Sequence, residues 1–206
     1  MGESAVQPWQ VVVVGRWNRS ILTPIEISRR LLRIPENTKL KVEIPLNVVG
    51  PPRVWGDGIA IVVDDDRLVV QIERGDYPAL GRGMEAAATA ITFLERTPYT
   101  AVGLTLYFDL AALGSPTATN HRWDELLANG GYEITGHLSG RTLKWREGQI
   151  LIQTHRKEGT DGNAMVNFER RSELHTDLVE WLKIPVDEIR QECDRMLEFV
   201  REGGVS

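Results

Sequence analysis

Cysteine is nearly missing from this chain: Cys193 is the single one among 206 residues. One thiol closes no internal disulfide and cannot supply a Cys-rich zinc site, which excludes a disulfide-stapled scaffold. No stretch approaches the roughly 18 apolar residues of a membrane-spanning helix. Neither sign of charge dominates, with 24 Lys and Arg against 29 Asp and Glu and a net charge of −5. That balance argues against a dedicated nucleic-acid binder, which carries a basic stripe. The start, MGESAVQPWQ, has no basic residues leading into an apolar stretch, so no secretory leader is expected. With so little cysteine, the cytoplasm is the expected location. HExxH and GxSxG motifs are both lacking. What remains is 42% apolar and 26% charged, an ordinary globular composition. The length suits one large domain or two small packed lobes.

Elements follow from periodicity. The four-valine run of Gln10–Val14 reads as a buried strand ending at Gly15. Thr23-Pro24-Ile25-Glu26 fits a capping box, which starts a helix of about ten residues that stops before Pro35. Lys39–Ile44 alternates like a half-exposed strand. Ile59–Val63 and Leu68–Ile72 flank an Asp64-Asp65-Asp66-Arg67 turn. Gly75–Gly83 reads as a loop, Met84–Arg96 as an alanine-rich helix packed on a sheet, and Ala101–Leu110 as a strand. Gly114–Asn120 is the expected lobe boundary, followed by a short helix at Trp123–Leu127. Four strands are then expected, Tyr132–His137, Arg141–Arg146, Gln149–His155 and Ala164–Arg170, with Leu138-Ser139-Gly140 as a hairpin turn. Pro185 opens a last helix whose apolar stripe is Ile189, Cys193, Met196 and Val200.

Few constellations carry chemistry. Asp64, Asp65 and Asp66 could hold a hard cation, but neighbours on an extended chain point in alternating directions, and a solvated turn explains them. Gly81, Gly83 and Ala86 match GxGxxA before the expected helix start, where Arg82 and free N–H groups would face an anion. The dinucleotide fingerprint needs a preceding parallel strand that is not expected here. His137 and His155 fall near strand ends without metal-ligand spacing. Arg141, Lys144, Arg146, Arg156 and Lys157 share one expected hairpin. Trp145 is out of phase with Lys144 and Arg146, which leaves those charges without a stacking platform. Six tryptophans against four phenylalanines include Trp9, Trp17 and Trp55 near strands and loops. Such residues serve as core or as interface anchors.

The segments VVVVGRWNRSILTP (Val11–Pro24) and RTPYTAVGLTLYF (Arg96–Phe108) resemble landmarks in sporadically distributed bacterial α+β proteins of unknown function. The resemblance implies a bacterial or phage origin and supplies no catalytic residue. The expected fold is α+β, a mostly antiparallel sheet or sheets with helices on one face. It is divided into an N-terminal lobe over 1–113 and a C-terminal lobe over 114–206, packed as one unit. The expected function is a non-enzymatic protein-interaction or assembly module of a multiprotein system. A protein partner or a second copy, with no membrane, no cofactor and no metal, goes with that reading. Its interaction candidates are Trp9, Trp17, Trp55, Arg141, Lys144, Arg146, Arg156 and Lys157. One alternative is a nucleic-acid or anion binder using the basic hairpin; another is an enzyme with a site near 81–85 and the Asp64–Asp66 turn.

Overall fold

In the computed structural model, which describes residues 7–45, 50–113, 129, 136–157 and 162–201, the valine run becomes the strand from which the sheet is built. This strand, β1 (Trp9–Gly15), is followed by α1 (Pro24–Glu26), which continues directly into a π-helical turn over Ile27–Leu31. A meander comes next: β2 (Lys41–Glu43), β3 (Arg53–Gly56), β4 (Ile59–Val63) and β5 (Arg67–Ile72). The helix α2 (Tyr77–Phe93) leads to β6 (Tyr99–Asp109) and the short α3 (Leu110–Leu113). A second meander, β7 (Gly136–Trp145), β8 (Gly148–Lys157) and β9 (Asn163–Arg171), precedes α4 (His175–Trp181) and α5 (Val186–Arg201). The expected α+β class holds: the described strands form one nine-stranded antiparallel sheet, ordered β2-β3-β4-β5-β1-β6-β9-β8-β7.

The two sides of this sheet repeat one another in topology. Outward from the central β1–β6 pair lie β5, β4 and β3 on one side and β9, β8 and β7 on the other. In each half a meander returns to the strand that preceded it and hands the chain to a helix. The β3–β4 turn is the two residues Asp57-Gly58, and the β7–β8 turn is the two residues Arg146-Glu147. Asp57 and Arg146, first in each turn, have φ of 49° and 50°. Positive φ at that position matches the right-handed twist of the flanking strands. The lobe boundary expected after residue 113 opens a stretch outside the described residues, as does the expected helix at 123–127. Strands from both sides of that boundary pair directly, β6 with β9 from Ala101↔Arg171 to Asp109↔Asn163.

Period-2 alternation sends one set of side chains under the helices. Val11, Val13, Leu68, Val70, Leu104, Val166 and Phe168 are all fully buried there. The last helix presents the stripe expected of it, with Ile189, Cys193, Met196 and Val200 buried. Trp145 packs edge-on against Phe168 at 5.0 Å and faces Trp181 of α4 at 6.4 Å. At the first helix, Thr23 Oγ1 accepts from Glu26 N at 3.3 Å as the capping box requires, while the Glu26 carboxylate pairs with Arg30.

Two expectations are corrected. The helix α2 starts at Tyr77, not Met84, because Asp76 caps it: its Oδ1 accepts from Ala79 N at 2.7 Å. Gly81 and Gly83 are therefore helix interior. A Cβ on Gly83 would stand 3.3 Å from Val11 Cγ2 and 3.4 Å from Val70 Cγ1, so the glycine lets α2 lie close on β1 and β5. In the C-terminal half, Leu138-Ser139-Gly140 is not a turn. It lies inside the ten-residue β7, whose pairing with β8 runs unbroken from Gly136↔Lys157 to Trp145↔Gly148.

Candidate functional site

The alternation that buries Val11 and Val13 directs Val12 and Val14 to the sheet's other face, away from α2, α4 and α5. Val12 is half-buried and Val14 is 40% exposed. The valine run is thus buried on one face only, which corrects its reading as a buried strand. The strand register aligns the outward side chains into rows across the sheet. One row runs Val62, Val69, Val12, Gly103 and then Glu169. Beside it lies a row of Gln71, Gln10, Thr105 and Asn167. A border row holds Arg67, Val14, Ala101 and Arg171, and on the far side of the amides come Tyr107 and Met165.

Small residues on β6 make a trough in the middle of this face. Val12, Val14, Ala101, Gly103, Thr105 and Asn167 border a depression of about 510 Å³. Gly103 leaves it open, since a Cβ there would approach Phe168 O to 3.2 Å. Thr105 Oγ1 donates to Asn167 Oδ1 at 2.9 Å. Glu169 and Arg171 also border the depression and pair with one another, and Arg67 meets Asp66 at 3.1 Å at the end of the border row. At the β2 edge the Trp55 indole, Lys41 and Arg53 surround Glu43 and hold its carboxyl below its ordinary range.

The helix side has its own groove, of about 620 Å³, between α2 and the α4–α5 turn. Met84, Ala88, Phe93, Leu182 and Ile184 line it, with Glu85 and Lys183 among its polar residues. A smaller cavity of about 110 Å³ lies by the β3–β4 turn. Two ion pairs tie α2 down beside it, Arg82–Asp57 at 3.0 Å and Arg33–Glu85 at 2.9 Å. Arg82 is committed to Asp57 from inside a helix, so the anion-facing helix start expected near residues 81–85 is corrected. Neither cavity bordered by Glu85 includes Asp64, Asp65 or Asp66. Asp65 instead faces Arg19 at 3.8 Å.

The sequence candidates disperse. Trp9 is 4% exposed, donates from Nε1 to Tyr107 O at 2.9 Å and packs on the Tyr77 ring at 5.0 Å. Trp17 is 5% exposed and donates to Val13 O at 3.2 Å. Both rings are held in the core. Trp55 is half-exposed on the open face, with the Lys41 ammonium 4.5 Å from its ring centroid. In the basic hairpin, Arg141 pairs across from Ile152 and Lys144 from Gln149, so the two point to opposite faces. Arg146 occupies the turn and donates from Nε to Glu188 of α5 at 2.7 Å. Arg156 and Lys157 sit opposite His137 and Gly136 at the far end of the hairpin. Arg141 and Lys144 thus do not share a face. His137 and His155 fall on opposite faces of the sheet and do not meet. Among the described residues no three His, Cys, Asp or Glu side chains converge as a metal site requires.

Val12, Gly103, Thr105 and Asn167 were not singled out by sequence. The signal that marks them is pairing register, which brings residues 12, 103 and 169 into one row and which a single sequence does not print. Searches against family models and against curated proteins found no match. Among the described residues no helix is long and apolar enough to cross a membrane.

Proposed function

We propose that this chain is a protein-interaction or assembly module that docks a partner on the open face of its sheet. One observation supports the reading: on β4, β5 and β1 the outward positions include four valines, Val62, Val69, Val12 and Val14, beside the polar row of Gln71, Gln10, Thr105 and Asn167. A sheet face meant for water alternates to polar residues on its outer side. Here α2, α4 and α5 pack on the opposite face, and the outward valines lie beside a trough floored by glycine and alanine. Apolar surface interleaved with hydrogen-bonding groups is the usual composition of a binding surface.

The test is photo-crosslinking in the cell. A benzophenone amino acid replaces Val69 on the open face in one strain and Glu198 on the outer side of α5 in another. The expected result is a protein adduct from position 69 and none from 198. No adduct at 69, or equal adducts at both positions, removes the reading.

A further inference from the structure

We infer that the partner on this face is a second copy of the chain, related by a two-fold axis that crosses the strands at Thr105. This rests on the docking reading above. Nine strands spaced about 4.8 Å apart, of about seven residues and so about 24 Å each on average, span roughly 1,000 Å², the same order as the roughly 800 Å² that one partner contributes to a standard stable interface.

The face is also complementary to itself along β6. In succession its outward residues are Ala101 and Gly103, a hollow; Thr105, a centre; and Tyr107, a half-buried ring. Gly103 and Tyr107 are each two residues from Thr105. A two-fold through Thr105 therefore sets each copy's Tyr107 over the other's Gly103 trough. The row on the axis is Gln71, Gln10, Thr105 and Asn167. Amides and hydroxyls both donate and accept, so this row can pair with its own copy, as a row of one charge could not. Packed sheets cross at roughly 30°, a rotation that displaces positions this near the axis by only a few ångströms.

The experiment is light scattering on the full chain over a concentration series. The wild type is expected to rise toward twice its 23.2 kDa mass. Thr105→Arg and Thr105→Glu each place a charge against its own copy and are expected to stay at the single-chain mass. An equimolar mixture of the two is expected to regain the doubled mass, because position 105 then meets an opposite charge. Loss of the Thr105–Asn167 bond is common to both variants and cannot be repaired by mixing. A wild type at single-chain mass throughout, a doubled mass indifferent to either variant, or a mixture that stays single overturns the inference. A monomeric wild type whose position 69 cross-links to a different protein ends the second-copy inference while the docking reading stands. Absence of any adduct at 69 ends the docking reading itself.

Discussion

Cys193 of α5 and Tyr77 of α2 meet where the two helices pack together. Burial pushes the Cys193 thiol up to about 12, with Tyr77 beside it favouring the opposite direction and the Asp194 and Glu192 carboxylates adding to the rise. Burial likewise raises Tyr99 to about 12 and carries Tyr77 further above its ordinary value. An unfolded thiol titrates near 8.5 and an unfolded phenol near 10. The folded chain thus keeps protons that the unfolded chain gives up, and the stability from these groups is complete below about pH 8.5 and lost as pH climbs toward 12. Urea midpoints should fall between pH 9 and 11, with a shallower fall in Tyr77→Phe. A midpoint that rises over that interval contradicts the assignment. At this scale the sequence was informative about Cys193, whose place in a 3–4 spaced stripe placed it inside. It was silent about Tyr77, whose burial depends on Trp9 at 5.0 Å from another element.

The elements divide by how local their causes are. The Thr23 cap and the α5 stripe could be read because the interactions lie within one turn or along one helix face. The start of α2 is not legible locally, since Gly75, Pro78, Gly81 and Gly83 together carry the composition of a loop. Packing reverses that preference: a helix with glycine at position 83 reaches the sheet closely enough to bury Ala79, Leu80, Ala86 and Ala87. Gly83→Val should therefore destabilise the chain by about 1–3 kcal/mol through overpacking against Val11 and Val70, measured by chemical denaturation. An unchanged or raised midpoint would show that α2 lies further from β1 than 3.3 Å implies. The missed continuity of β7 has the same origin. Gly140 and Ser139 favour a turn locally, and ten paired positions with β8 hold them extended.

Across the whole molecule the seam between β6 and β9 matters most. It joins residues before 113 to residues after 162 over nine paired positions, and Leu104, Leu106, Val166 and Phe168 along it are fully buried in one core with Val11 and Val70. The halves repeat a topology without separating into independent cores. Unfolding should accordingly be a single transition, with tryptophan fluorescence and far-UV circular dichroism coincident; two resolved steps would show that the two lobes unfold separately. By itself the sequence determined the α+β class, the alternation of most strands, the capped first helix and the buried stripe of the last one, because each depends on residues a few positions apart. Tertiary structure decided which strands adjoin, and through that which outward residues share a row. Val12, Gly103 and Thr105 become one surface only when β1 and β6 pair across some ninety residues of chain; backbone hydrogen bonds fit many registers equally well, and the one adopted is selected by burying one face of both strands at once, which neither segment specifies alone.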